Sequence, residues 1–469
     1  MNARAVLFGT LLGGLLVLTG CQATEAPPAD QPDTIVTVDG NSVLRTIAPG
    51  DIFGANLGAW VLDTKLGTTT QNLLRGLRPS VARFPGGNIS NNYCWVEQKV
   101  SGNDHLVWED WDWGIDVDEF LAFIEAVDCV PMFSLNPFDH TIDGHLHLAA
   151  EEAADLAGLF VGEGFAGAFY EVGNENDGSW NPMLTVNEYA DRFVHLAMAV
   201  KMVDPTARLM GPVGSGTSSW ITDFLDRLAL LGATNLLDLV SFHRYGGWIS
   251  NGNTEGIDLD DPQEYADDLE AIRSALDARG LGRIKIAVTE LNAAIWDTGC
   301  TRDQFTIKQA LWLADALGVS LLGADMANVW IHLHPGADPH ALIDSEATPP
   351  APTRNYWPIA LAARTLSSTV PAETVEVLGV TREVGDTVMT AYVTRKADGT
   401  LGVLLVNKSD RAYDVAVNLP FYPQTVAARR ISQTEYDAGT GPAQVSARIE
   451  ARRIRTAVPG RSILGLEVR

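Results

Sequence analysis

An α/β architecture, a (β/α)8 TIM barrel with an additional antiparallel β-sandwich domain, is the fold class that this sequence predicts. Two observations carry that reading. Between residues 50 and 370, short apolar runs alternate eight times with longer amphipathic segments, the pattern of strands buried on both faces and connected by helices. After Thr365 the helical periodicity gives way to short alternating segments separated by turns, as in an antiparallel sandwich. The chain of 469 residues exceeds one domain of ordinary size, and 46% hydrophobic with 20% charged residues is a globular composition.

The eight runs read as strands are Ile52–Leu57, Ser80–Phe84, Val130–Leu135, Ala168–Val172, Arg208–Pro212, Leu237–Phe242, Ile284–Thr289 and Ala327–His332. Each is largely apolar and ends in Gly, Pro, Asn or polar residues. Helices are expected over Val117–Val127, where Phe120, Leu121, Ile124 and Val127 recur at helical spacing, and over Asn187–Val203 and Pro262–Ala278. A doubly wound open sheet is the structural alternative. The sandwich strands are Thr374–Val380, Thr387–Thr394, Leu401–Val406, Tyr413–Leu419, Val426–Ile431 and Ile463–Val468. Thr34–Val38 and Ser42–Ile47, joined by Asp39-Gly40-Asn41, read as a hairpin completing that sandwich. The barrel is therefore expected over 50–370, and the sandwich over 34–49 plus 371–469.

The N-terminus points to export. Arg4 precedes an apolar run from Ala5 to Leu18, of signal-peptide length. Leu18-Thr19-Gly20-Cys21 then resembles the bacterial lipobox, which implies a signal peptide over 1–21 and a lipid on Cys21 that anchors the protein to the outer face of a membrane. A plain secretory signal or a short membrane helix is the alternative, although the run is short and glycine-broken for a span. Residues 22–33 are polar and proline-rich, a tether.

Composition excludes other classes. A net charge of -26, from 33 basic and 59 acidic residues, argues against a nucleic-acid partner, which needs a basic face. Cys94, Cys129 and Cys300 lack metal-ligand spacing, and no CxxC or HExxH occurs, so no metal site is expected. No phosphate-binding glycine loop is present and no cofactor is expected; Gly214-Ser215-Gly216 lacks nucleophile-elbow spacing. Cys94 follows the second strand and Cys300 the seventh, so these two are expected to pair, leaving Cys129 buried beside the third.

Catalytic residues of such barrels lie at the C-terminal ends of strands. Two carboxylates stand there: Glu175 in Phe169-Tyr-Glu-Val-Gly-Asn-Glu175 after the fourth strand, and Glu290 in Ile286-Ala-Val-Thr-Glu290 after the seventh. Glycosidic hydrolysis needs such a pair, one protonated to assist the leaving oxygen and one ionised to attack or stabilise the anomeric carbon.

The surrounding motifs make the pairing specific. Asn174-Glu175 and Glu290 at these strand ends resemble the catalytic pattern of clan A glycoside hydrolases. Arg83-Phe84-Pro85-Gly86-Gly87-Asn88, Gly173-Asn174-Glu175-Asn176-Asp177-Gly178-Ser179-Trp180 and Asp118-Glu119-Phe120-Leu121 resemble motifs of family 51, the α-L-arabinofuranosidases and related enzymes. The resemblance runs through the barrel into the C-terminal domain. It implies a retaining enzyme with Glu175 as acid/base, held protonated by a raised pKa, and Glu290 as nucleophile, kept ionised with Arg83 as donor. Arg83 has a competing reading as a buried ion pair with Glu171. Asn174 would bind the sugar hydroxyl beside the anomeric carbon, with Asn88 as a further supporting residue.

His243 and Tyr245, after the sixth strand, are expected against the glutamates, with a structural histidine as the alternative. Trp330 and His332 on the eighth strand, and Trp180 and Trp296 on loops, are candidates for stacking on sugar, with Trp330 and Trp180 favoured; Asn136 is a candidate hydroxyl contact. One departure stands out. Family 51 arabinofuranosidases often carry a sugar-binding glutamate in the first-strand motif, and Gly58 stands at that place here, with Asn56 or Asp63 as possible substitutes. The expected partner is a polysaccharide or oligosaccharide. An endo-glucanase or a xylosidase- or glucuronidase-like enzyme, or a surface glycan-binding lipoprotein without turnover, are the competing readings.

Overall fold

The structure is a computed structural model that describes residues 31–48, 53–216, 219–246, 256–293, 303, 305–368 and 373–469. Cys21, Trp296 and Cys300 lie outside the described residues, as do the expected signal peptide and most of the tether.

Eight parallel strands close into a barrel: Phe53–Asn56, Val81–Phe84, Val130–Leu135, Phe169–Val172, Arg208–Gly214, Leu239–Gly246, Lys285–Ala293 and Met326–Val329. The third strand pairs with the fourth and the eighth with the first, so the sheet has no edge. The open doubly wound sheet is thereby excluded. Capping boxes begin two of the barrel's helices: Asp116 with Glu119 opens Val117–Val127, and Thr185 with Glu188 opens Val186–Val203.

The barrel interior follows from the period-2 alternation of strands. Val81, Met132, Phe169, Met210, Leu239, Ala287 and Met326 form an apolar layer inside the barrel. Two residues further along six of those strands stand Arg83, Ser134, Glu171, Ser241, Thr289 and Asn328, all buried. The barrel thus changes from an oily layer to a polar one in a single step of the pleat, and that polar layer is the floor of the site.

Ten further strands, Thr34–Ile47 and those beyond the barrel, form one sheet around a second apolar core, and small two- and three-stranded sheets lie between the barrel's elements. Strand Leu401–Asn407 shows why the region reads as nearly continuous apolar sequence. Leu401, Val403 and Leu405 enter the second core, while Leu404 and Val406 pack with the barrel's helices. Helix Ile307–Gly323 is buried almost all round because it lies between barrel and sheet. Its Asp315 accepts hydrogen bonds from Thr390 and Tyr392 and an ion pair from Lys408, tying the two layers.

Two expectations are corrected. Thr34–Ile47 is not a hairpin but one strand, antiparallel to Val375–Arg382 from Val36 to Ile47 and, over Thr34 to Thr37, parallel to Tyr413–Asn418. Asp39 and Val43 face consecutive partners, Gly379 and Leu378, so Gly40–Ser42 are a bulge; Asn41 N–H bonds back to the Asp39 carboxylate at 3.0 Å. The local turn signal was satisfied without reversing the chain. The eighth strand ends at Val329, three residues before the expected His332, so Trp330 and His332 belong to the following loop.

Candidate active site

The polar layer is organised by Arg83, which is fully buried. Its Nε donates to Glu171 (2.6 Å), its Nη1 to Glu290 (2.8 Å) and Asn56 (3.1 Å), and its Nη2 to Asn174 (2.7 Å). Both readings of Arg83 therefore hold together: it is the ion-pair partner of Glu171 and the donor to Glu290. Charge-assisted bonds of this kind are short and fix orientation.

Glu290 reaches the site through a strand irregularity. Strict alternation after Ala287 and Thr289 would turn residue 290 away from the barrel axis. The register between the sixth and seventh strands instead skips a residue, from Phe242 opposite Val288 to His243 opposite Glu290. This bulge re-aims the carboxylate inward. There Tyr245 donates its hydroxyl to Glu290 at 2.6 Å, and burial beside that carboxylate holds the phenol well above its usual pKa, as a neutral donor.

Glu175 occupies the opposite wall. Its backbone is left-handed, at φ 45°, and its N–H is held by the Val213 carbonyl at 3.0 Å. One carboxylate oxygen meets His243 Nδ1 at 2.7 Å and the other accepts from Trp180 Nε1 at 2.6 Å. His243 also lies 3.6 Å from Glu290, so a buried imidazole bridges the two carboxylates.

Electrostatics correct one expectation. Desolvation raises the Glu175 pKa, but the hydrogen bond and charge of His243, the Trp180 bond and Arg83 together outweigh it, and the net shift is downward. For His243 desolvation lowers the pKa, while Glu290 and Glu175 more than reverse this, so the imidazole is raised above its usual range. Without substrate both shifts favour a charged imidazole beside a carboxylate, the opposite direction to the raised Glu175 pKa expected.

A cleft of about 610 Å³ opens above these groups, lined in part by Gly87, Asn88, Glu175, Trp180, His243, Tyr245, Glu290 and Trp330. Gly87 has φ 56°, and a Cβ there would come within 2.7 Å of the Trp330 ring, so the glycine pair lets the tryptophan pack over the loop. Asn174 lies beneath the cleft: its carbonyl oxygen takes Arg83, and its amide donates to Asn88 at 3.1 Å. Asn88 also accepts from Asn181.

Three candidates are not in the cleft. The Asn136 carbonyl oxygen accepts from Phe138 N–H and its amide from this loop reaches the Tyr93 carbonyl, so it braces two loops rather than meeting a hydroxyl. His332 is buried, accepts from Asn56 N–H, and is pushed down to about 3 by burial, a neutral structural ring. Asn56 is spent on Arg83 and on the Thr289 and Val329 carbonyls, and cannot replace the missing glutamate. At Gly58 a Cβ would lie 2.2 Å from the Trp60 ring, which packs in turn against Trp330. Trp60 thus occupies the space into which a residue-58 side chain would project.

Sequence reasoning passed over Ser215, Arg244 and Asp268, which also line the cleft. Ser215 sits directly after the fifth strand, where position alone was a signal; its hydroxyl donates to Asp177 at 2.9 Å. Arg244 lies between two chosen residues and pairs with Asp261 and Asp268. Cys94 is a free thiol, and Cys300, its expected partner, lies outside the described residues; Cys129 is buried before the third strand, its thiol donating to the Pro79 carbonyl.

No protein-family model matches the chain. It is 25% identical over 278 residues to a probable α-L-arabinofuranosidase C of Aspergillus fumigatus, a match covering 53% of this chain and 54% of the relative. The chain thus spans about half the length of the curated relatives it matches. In fold it superposes on a family 51 α-L-arabinofuranosidase from Bifidobacterium longum with a TM-score of 0.72 at 17% identity, covering 94% of this chain and all of that one. A bifunctional glucanase-xylanase from a metagenome library follows at 0.70 and 15% identity, covering 93% and 99%. The chain is similar in sequence, over about half its length, to α-L-arabinofuranosidases, and in fold, over nearly all of it, to a family 51 α-L-arabinofuranosidase.

Proposed function

We propose that the chain is a retaining glycoside hydrolase of the α-L-arabinofuranosidase class, exported and tethered to the outer face of a bacterial membrane by a lipid on Cys21. The observation that carries the activity is the carboxylate pair. Oxygens of Glu175 and Glu290 lie within 4.8 Å of one another across the cleft. Retaining sites hold their carboxyl groups about 5–5.5 Å apart, whereas inverting sites need roughly 6.5–9.5 Å to admit a water. Glu290, facing Arg83 and Tyr245, attacks the anomeric carbon as the glycosidic C–O bond breaks. The proton shared by Glu175 and His243 passes to the leaving oxygen. Glu175 then takes a proton from the water that releases the sugar from Glu290.

The likeness to probable α-L-arabinofuranosidases supports an arabinofuranoside substrate. A second reading, an endo-glucanase or a xylosidase- or glucuronidase-like enzyme, is favoured by one feature: Trp60 fills the space beside Gly58, where the family often uses a glutamate. A panel of aryl glycosides and polysaccharides separates the two. Aryl α-L-arabinofuranoside is expected to be cleaved, with the Glu290→Gln variant slower by about 10⁴-fold or more. NMR of the first-formed sugar is expected to show retention; an inverted anomer would sink the mechanism. For the anchor, Cys21→Ser is expected to abolish detergent partitioning, and unchanged partitioning counts against the lipid.

A further inference from the structure

A second cluster of reactive side chains lies where the loops after the second and third barrel strands meet. Cys94 ends the short strand Tyr93–Cys94. His140 and His147 face each other across the hairpin formed by His140–Ile142 and His145–His147. Glu152 stands in the first turn of helix Ala149–Gly162. Cys94 Sγ is 3.3 Å from Glu152 Oε1 and 3.9 Å from His147 Nδ1. The same oxygen is 2.9 Å from His147 Nδ1 and 3.6 Å from His140 Nε2. One ligand atom from each of the four lies within 4.8 Å of the others. A tetrahedral zinc with ligands at about 2.0–2.3 Å has ligand–ligand edges near ~3.4 Å, so contraction by small side-chain movements closes the set.

An independent observation points to a ligand. The His140 side chain is completely buried, and its Nε2 has no hydrogen-bond partner among the described residues. Orphaned buried polar atoms are rare and need a reason. Its Nδ1 donates to the Phe138 carbonyl at 3.1 Å, leaving an unprotonated Nε2 lone pair aimed at Glu152. That is how proteins hold a metal-binding imidazole: the distal N–H bound to a carbonyl, fixing tautomer and ring orientation. The surroundings hold the set in place. The two imidazoles stack in parallel with centroids 5.1 Å apart, Trp108 covers His140 at 4.5 Å, and Trp95 Nε1 donates to the Glu152 carbonyl at 3.2 Å.

We propose that Cys94, His140, His147 and Glu152 bind one divalent cation of the zinc class. A thiolate with two imidazoles and one carboxylate suits zinc and discriminates against magnesium and calcium, which take oxygen ligands. Four protein ligands leave no open position, so the site is structural. It staples two loops on the C-terminal face of the barrel, the face that also carries Glu175 and Glu290. Binding replaces the thiol proton that Cys94 now donates to Glu152; that proton leaves to solvent as the metal–sulfur bond forms. Sequence spacing conceals the site, because its ligands are spread from residue 94 to residue 152 with no paired motif.

The test uses the full-length chain, stripped with a chelator and re-equilibrated with Zn²⁺ or Co²⁺. One metal per chain is expected after gel filtration, and the Co²⁺ form is expected to show a sulfur-to-cobalt charge-transfer band in the near ultraviolet. Chelation is expected to lower the Tm of the wild type but not of Cys94→Ser, and His147→Ala is expected to lose the metal. Glu290→Gln is expected to keep it, separating this cluster from the catalytic one. Less than a tenth of an equivalent bound, or a Co²⁺ form without the charge-transfer band, overturns the site with no variant needed. Full metal content in Cys94→Ser, or its loss in Glu290→Gln, overturns it equally.

Discussion

The two walls of the cleft hold their glutamates by different means. Glu290 faces a fixed cation: Arg83 is locked by Glu171, Asn56 and Asn174 and cannot deprotonate, and Tyr245 adds a neutral donor. Glu175 faces a titratable one, His243, and a half-exposed indole, Trp180. The difference matches the chemistry proposed for each. A nucleophile must be ionised at every pH at which the enzyme works, whereas an acid/base must gain and lose a proton once per turnover, so its neighbour must be able to store one. The Glu290 side should therefore respond to substitution by losing rate and stability together. The Glu175 side should respond chiefly in its pH dependence.

Arg83→Met is the largest break. It strands Glu171 in a fully buried site, and losing one partner of a buried pair costs about 3–5 kcal/mol. Thermal melts should show that loss, and turnover should fall by about 10³-fold or more because Glu290 loses its fixed cation. Adding Glu171→Gln should restore much of the Tm but none of the rate. Recovery of rate in the double variant would mean that Arg83 serves the fold alone.

How far this division was legible in the sequence depends on distance along the chain. Glu175 with Trp180, and His243 with Tyr245, lie within single strand-end motifs, so reading each strand end found them. Arg83 with Glu171 was recoverable by parity, since two residues along a strand return to the same face. What periodicity could not supply was the bulge before Glu290, which rests on a register skip against a neighbouring strand, and the sharing of Arg83 between two carboxylates. Asn136 and His332 misled because a polar residue after a barrel strand satisfies neighbouring backbone as readily as it meets solvent. The Asp39-Gly40-Asn41 turn failed similarly: turn chemistry is local, but whether the chain reverses is set by the partner strand, Val375–Arg382. The cluster around Glu152 was invisible for the same reason, being made of loops that meet only in the fold.

On the other wall, His243→Asn tests the proton store. In the substrate-free protein Glu175 is shifted down and His243 up. The pair therefore keeps its single proton until pH rises through the raised histidine value, and the basic limb of kcat/KM should follow that loss. Asparagine carries no proton, so the limb must then follow the Glu175 carboxyl itself. It should move to lower pH, with a loss of about 10-fold to 100-fold at neutral pH and little change in Tm. An unmoved limb would assign the titration to another group.

Trp180→Phe is the finest cut, because it keeps the aromatic face and removes only the Nε1–H donated to Glu175 at 2.6 Å. That bond lowers the Glu175 pKa alongside His243, after the larger opposing effect of desolvation. Removing it should make the carboxyl easier to protonate and harder to ionise. Taking a proton from the incoming water then becomes slightly easier, while giving one up to the leaving oxygen becomes harder. The two half-reactions should consequently separate: with poor leaving groups, which need that proton, glycosylation of Glu290 should slow and become limiting while release of the sugar keeps its rate, so any pre-steady-state burst should shrink. A hydrogen bond to a charged group contributes about 1.5–3 kcal/mol when buried, and this indole is 52% exposed, so the effect should stay below about tenfold. Equal slowing of both half-reactions would show that Trp180 positions the sugar and leaves the proton alone.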